Sequence, residues 1–406
     1  MVHRITHISH NKGPLLYTTS VLLNRAAHYG FRAILVGYIV NSLDVEEISA
    51  LTLYGWFTAL VIWFEVLGAV LGDLVLGNRK SIIIGVVLQV LGMGIATIPS
   101  LEALYAGLFL LILGSGLYRP NLIASFGKQY LDKKELIVPG FILYQLAIML
   151  GSFGGTLIIE FFAGHSGLSI GLLAVGILYL VSLIPVLLVK KSQDGSEGVK
   201  PYRLENRTVL IIMFAVLVIS IFFALNMLGS LITGDVHYVI DTMPTLGISE
   251  NIWVAIISIA SILIGALLFY LFSRYHSSIY HRLIWGLALG TVAYAILLYE
   301  GIVMVLQPFM YYLGVQFTFY LGEMLVVASV YSLVTIKSNP KYLAIIISII
   351  ALLSSWISAG IQHLLSDDAI SGQRYPIIVG FVLMIFLLAG AVSCKRLERK
   401  VHETLS

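Results

Sequence analysis

Apolar runs of about twenty residues recur along this chain from one end to the other, and few chemistries tolerate that pattern. A helix needs about 20 apolar residues to cross a bilayer core. Backbone N–H and C=O groups in lipid must be satisfied within the segment, so the spans are helices. Twelve are expected, at about 15–41, 47–76, 80–100, 103–128, 137–163, 167–190, 207–233, 250–273, 281–299, 302–336, 342–365 and 375–394. The chain has 406 residues, which leaves no room for a sizeable soluble domain. Cys394 is the only cysteine, so no intrachain disulfide can form. The first 14 residues are polar and no short apolar core with a small-residue cleavage site follows them. The reading is therefore a retained first helix and no signal peptide.

Charge outside the spans sets orientation. Of 24 Lys and Arg, three fall inside spans (Arg25, Arg32, Arg119). With both termini on one side, 20 of the others lie on that side, among them Arg4, Arg79, Lys80, Lys190, Lys191, Arg203, Arg274, Lys337 and Arg396, and only Arg374 lies opposite. The opposite side carries Asp44, Glu46, Glu47, Asp235, Asp241, Glu250, Asp367 and Asp368. Positive-inside bias then places both termini in the cytoplasm of a multi-pass protein of the cell inner membrane. The net charge of +3 follows from this topology and argues for no nucleic-acid partner. One polar stretch, KSQDGSEGVKPYRLEN at 191–206, divides six spans from six. The expected organisation is an N-terminal six-helix bundle at 1–190, a cytoplasmic linker at 191–206 and a C-terminal six-helix bundle at 207–406. Two bundles around a midplane site are one architecture with this plan; an arbitrary helical bundle is the other.

Six ionisable side chains interrupt the apolar runs: Arg25, Arg32, Glu65, Arg119, Glu160 and Glu323. A charge at the centre of a membrane helix costs roughly 2.5–3.5 kcal/mol on insertion scales, so such groups face partners or a wet cavity. Arg25, Tyr29 and Arg32 share one helix face, as do Asn226, Ser230 and Thr233, and Tyr312, Gln316, Tyr320 and Glu323. The first half supplies three arginines and the second Glu323, which suits a zwitterion of peptide length. Its carboxylate would meet the arginines and its ammonium would meet Glu323. Structural alternatives stand beside this. Arg25 could pair with Glu65 and tie the first two helices. Arg119 beside Pro120 could serve packing. Glu160 reads as interfacial and His28 as a hydrogen-bonded core residue. Tyr29 and Tyr144 are the tyrosines expected in the cavity. No metal-ligand cluster, cofactor motif or nucleophile–base pair is visible, so an enzyme is not expected.

The motifs resemble a known family. Gly68 to Lys80, with Asp73 and Arg79, resembles the loop G-x-x-x-D-x-x-x-G-[RK]-[RK] of major facilitator transporters, where Asp73 would bond a helix end or a basic partner in one state of a gate. Asn24-Arg25-Ala26-Ala27-His28-Tyr29-Gly30-Phe31-Arg32-Ala33-Ile34-Leu35 resembles the first-helix pattern E-x-x-E-R-F-x-Y-Y-G-x-[RK]-A-x-L of proton-dependent oligopeptide transporters. Tyr54 to Val61, Gly114 to Asn121, the set Gly140, Phe141, Tyr144, Ile148, Gly151 and Phe153, and Gly322-Glu323 with Ser332 to Thr335 resemble further segments of that family in the same order.

The resemblance implies a major facilitator fold and transport of di- or tripeptides, or peptide-like molecules, as a monomer. It also implies substrate contacts at Arg32 and Glu323, and the charge and helix-face pattern adds Arg25, Tyr29, Arg119, Tyr144 and Asn226 as candidate substrate-binding residues. The departures matter. The two first-helix acids fall on Val21 and Asn24, the helix-four lysine on Arg119, the helix-five Tyr and Asn on Gln145 and Met149, and the helix-seven acid on Asn226. The helix-two tyrosine falls on Ile62, and Glu65 stands where proline is usual. Much of the expected proton relay is gone. Glu65 and Glu323 are the candidates to rebuild it, with protons as a possible co-substrate. A non-transporting membrane subunit, sensor or scaffold for a protein partner is the alternative.

Overall fold

The computed structural model describes residues 3–4, 11–189, 206–232, 250–299, 308–370 and 375–405. The connector at 191–205 lies outside them, as do Thr233, Asp235, Asp241 and Arg374 and the side chains of Ser230, Glu250, Tyr312, Asp367 and Asp368. Twelve long helices stand among the described residues. They are α1 (Lys12–Leu43), α2 (Glu47–Leu71), α3 (Asn78–Ala96), α4 (Leu101–Lys128), α5 (Ile137–Ser166) and α6 (Leu168–Leu188), then α7 (Asn206–Ile232), α8 (Glu250–Arg274), α9 (Ile279–Leu298), α10 (Pro308–Lys337), α11 (Leu343–Ile370) and α12 (Tyr375–Leu405). Ten are long and apolar enough to cross a membrane, and α8 contributes a shorter apolar stretch, Ser258–Arg274. The remaining helix, α1, carries the Arg25 and Arg32 stripe that lowers its apolarity. The extended pieces are β1 (His3–Arg4) and β2 (Tyr275–His276), which pair antiparallel.

The helix ends follow from local chemistry. Gly77, between α2 and α3, sits at φ 83°, a conformation that a side chain would strain. Ser100 starts α4 by accepting the Ala103 N–H at 3.2 Å, and Ser278 does the same for α9 with His281. Helix α2 shows how burial is apportioned. Phe57, Val61, Glu65 and Gly68 line its buried face. Trp56, Leu60, Trp63, Leu67 and Leu71 recur at helical spacing on the face left open. In water that stripe would be a large apolar patch; against hydrocarbon it is the expected exterior.

The chain resolves into two compact units. The first comprises residues 9–204 and 338–352; the second comprises 1–8, 205–337 and 353–406. Two segments therefore cross the division drawn by sequence order: β1 pairs with β2 of the second unit, and the start of α11 belongs with the first. In the first unit α3 packs along α4, and α1 along α5 and α6, with α2 against α4. In the second unit α9 packs on α10 and α12, and α10 also meets α7.

Candidate functional site

The polar interior of the first unit is set by a bare-backbone contact. A Cβ on Gly68 of α2 would strike the Gly116 carbonyl of α4, and one on Gly116 would strike the Phe64 carbonyl. This approach brings two side chains within ion-pair reach. Arg119 Nη1 donates to Glu65 Oε1 at 2.7 Å. Glu65 is 3% exposed and Arg119 35% exposed, so the pair is buried on its acidic side only. A tie between Arg25 and Glu65 is not what forms, because α4 approaches Glu65 more closely than α1 does and presents Arg119 to it. Arg119 is an ion-pair partner, although Pro120 does lie within the unbroken α4.

Arg25 is left in an unusual position. Among the described residues it makes no hydrogen bond and no ion pair, and its Nε is buried without an acceptor. Two turns further along α1, Arg32 donates from Nε to the Tyr54 hydroxyl at 2.8 Å and from Nη2 to the same oxygen. Its guanidinium carbon lies 5.2 Å from the Tyr54 ring centre and 5.7 Å from that of Tyr29. The His28 ring stands edge-on to Tyr29, 5.5 Å between centres, and lies near Phe57. Tyr144 is buried against Phe126 and Phe141. Glu160 is exposed on α5.

The residue in the position of a lost acid is engaged. Asn24 Nδ2 donates to Gln89 Oε1 at 2.8 Å, and Gln89 Nε2 donates to Ser115 Oγ at 3.1 Å. A neutral chain thus runs from α1 through α3 to α4. Ser20 donates to the Ser182 carbonyl and shares a 2.9 Å bond with the Tyr118 hydroxyl. Sequence reasoning marks none of Gln89, Ser115, Ser20 or Tyr54 as a functional residue. A polar amide in the middle of an apolar span was the available signal for Gln89.

At the turn after α2, Asn78 Nδ2 donates to Asp73 and to Asn121, both at 2.8 Å. The Lys128 ammonium donates to Asn78 Oδ1 at 2.6 Å. Asn121 in turn donates to the carbonyls of Gly68 and Leu117. The other Asp73 oxygen accepts the Ile345 N–H at the start of α11, 3.0 Å away. A carboxylate at a helix N-terminus satisfies an otherwise orphaned donor and complements the helix dipole. Arg79 donates to the Leu187 carbonyl at the last turn of α6, 3.1 Å, the matching arrangement for a cation at a C-terminus.

In the second unit Asn226 Nδ2 of α7 donates to Glu323 Oε2 of α10 at 3.0 Å. Gln316, on the same stripe of α10, is buried. Arg282, counted from sequence as a loop-side charge, is 1% exposed. It donates to Ser277 at 2.8 Å and stacks on Phe272.

The Major Facilitator Superfamily profile matches residues 18–362. The chain belongs to that superfamily. Dipeptide and tripeptide permease A of Pectobacterium carotovorum is 27% identical to this facilitator over 202 residues, 48% of the chain and 40% of the relative. The protein of that name from Chromobacterium violaceum is 32% identical over 130 residues, 32% of the chain and 26% of the relative. The matched stretch is thus well under two thirds of these relatives' length. Among solved structures, a POT family transporter in complex with 5-aminolevulinic acid aligns with TM-score 0.61 at 17% identity, covering 95% of this chain and 97% of that one. The peptide transporter POT aligns with TM-score 0.59 at 19% identity, covering 97% of each. At such identities the likeness is one of fold. These relatives are transporters, and they belong to the oligopeptide-transporter branch that the motifs resemble.

Proposed function

We propose that this facilitator is a secondary transporter of dipeptides, tripeptides or peptide-like molecules, resident in the bacterial inner membrane with both termini cytoplasmic, and that it works by alternating access. The observation that carries the reading is the guanidinium cluster of Arg25, Arg32 and Arg119 inside an apolar helical unit, on motifs resembling those of peptide transporters. The names of the sequence relatives support the substrate class. Arg25, Arg32 and Arg119 take the substrate carboxylate, with Tyr29 and Tyr144 shaping the surroundings. Glu323, steadied by Asn226, takes the ammonium. Charge-assisted bonds to such groups are strong where water is excluded.

Coupling and gating extend this reading. With Val21 and Asn24 unable to ionise, Glu65 takes the role of the missing acids as the carboxylate partner of the helix-four cation. A substrate carboxylate that competes for Arg119 releases Glu65 to take a proton. The Asp73 bond to the N-terminus of α11 acts as a latch for one state, and Arg79 holds the adjacent end of α6.

The test is counterflow of labelled dipeptides into proteoliposomes preloaded with unlabelled peptide, without an ion gradient. Accumulation that disappears in Glu323→Gln is the expected result; no accumulation from folded protein with any peptide overturns the reading. For the coupling step, Glu65→Gln abolishes uphill uptake and spares exchange, and uphill uptake that persists in this variant sinks the Glu65 relay. A second reading, a non-transporting relative that binds a partner protein, is favoured by the neutral Asn24–Gln89–Ser115 chain where family members carry an acid. It calls for co-purification of a partner and no change of Tm with peptide, since only a ligand of the folded state raises Tm.

A further inference from the structure

We propose that the preferred substrate carries one more negative than positive charge: a short peptide with an acidic side chain, or a peptide-like dicarboxylate with one amine. This rests on the transporter reading above and narrows its substrate class.

The argument is one of charge pairing. The first unit carries three partly buried guanidiniums within its spans, Arg25 and Arg32 on α1 and Arg119 on α4. Among the described mid-span residues of that unit Glu65 is the buried carboxylate, and Arg119 occupies it at 2.7 Å. Arg32 spends its bonds on a neutral phenol, Tyr54. Arg25 has no hydrogen-bond acceptor among the described residues. Its chain neighbour Asn24 is an amide that donates to Gln89, so no carboxylate is supplied from that side. The described mid-span groups of the first unit therefore include two guanidiniums, Arg25 and Arg32, that face no carboxylate.

A guanidinium without a counter-charge inside an apolar span is costly, and Arg25 Nε is buried without an acceptor. A zwitterionic peptide brings one carboxylate and leaves one of these two guanidiniums without a partner. A substrate with two carboxylates and one ammonium pairs both.

Ala-Glu and Ala-Gln provide the probe, since they have nearly the same shape and differ by one charge at neutral pH. Each competes against a labelled dipeptide in counterflow, and each is titrated against purified protein in a thermal-shift measurement. The expected result is half-inhibition by Ala-Glu at a concentration at least tenfold below that of Ala-Gln. In Arg25→Gln this ratio falls to near one, and in Arg25→Lys it is retained. Equal potency of the two peptides on wild-type protein overturns the charge preference and leaves the transporter reading intact. Failure of every peptide to exchange or to shift Tm overturns the transporter reading, and this proposal with it.

Discussion

In the first unit the glycines Gly68 and Gly116 press α2 against α4; in the second, Gly286 and Gly322 press α9 against α10, with a Cβ on either meeting the other's carbonyl oxygen at 2.9 Å. The device is the same, and it is the one expected where packing rather than hydrophobic burial drives association in lipid. The side chains around the two contacts differ. Next to Gly68 lie Glu65 and Arg119, and around them Arg25, Arg32 and a chain of amides and hydroxyls. Next to Gly322 lies Glu323, answered by a single amide from Asn226. Around it hydroxyls turn to backbone or to each other, as Tyr294 does to the Leu225 carbonyl and Ser220 to Ser354. The first unit holds its mid-span charges by partial pairing; the second gives its mid-span carboxylate an amide partner.

The sharpest way to break this comparison is at the contacts themselves. Gly116→Ala forces α2 and α4 apart at backbone atoms that cannot yield, and a loss of about 3 kcal/mol is expected. Gly322→Ala meets a looser contact and costs about 1 kcal/mol. Thermal melts in detergent compare the two; equal losses would show that the glycine contacts are equivalent. Next come the carboxylates. Glu65→Gln leaves Arg119 without its anion. Because Arg119 is 35% exposed, the loss lies between that of a surface pair and that of a buried one, about 2 kcal/mol. Glu323→Gln removes no ion pair and leaves an amide that can still bond Asn226, so its effect on stability is under about 1 kcal/mol while exchange is lost. A larger destabilisation from Glu323→Gln than from Glu65→Gln would reverse the assignment of paired and isolated charge.

The twelve helices were legible because run length is a one-dimensional property: most expected spans begin and end within about five residues of an observed helix, whereas α12 continues to Leu405, well past the expected 394, and the expected start at 302 lies outside the described residues. The Asp73 loop was legible as a motif, and the structure supplies its partner, the Ile345 N–H. The partner of Glu65 was not legible. Arg25 and Arg119 were both arginines one helix away, and only the Gly68–Gly116 approach, a property of two distant segments, decides between them. For the same reason the grouping of 338–352 with the first unit escaped sequence order: one bond from Asp73 contributes to it. Gln89 escaped because attention to ionisable groups passes over a neutral amide, yet it completes the chain between Asn24 and Ser115. Arg282 escaped because a cation near a helix start reads as a loop charge until Ser277 and Phe272 enclose it.

The smallest effects test the neutral groups that set the first unit apart. Gln89→Leu removes both bonds of the amide chain. Interhelical bonds in membranes are worth about 0.6 kcal/mol each, so about 1 kcal/mol is lost; Glu65→Gln should exceed it. Tyr54→Phe is finer still. It keeps the ring under the Arg32 guanidinium and with it the cation–π contact, and it removes only the hydroxyl that accepts from Nε and Nη2. The stability change is about 0.6 kcal/mol, close to the limit of a melt. Arg32, released from that oxygen, is freer to meet a carboxylate yet less well aimed. If aim matters more, half-saturation of peptide exchange rises by about threefold, the same energy expressed as a concentration. If half-saturation falls instead, Tyr54 competes with substrate for Arg32, and the hydroxyl is a placeholder for the anion rather than a support for the cation. Either result separates the two roles that a single hydrogen-bonded pair presents together.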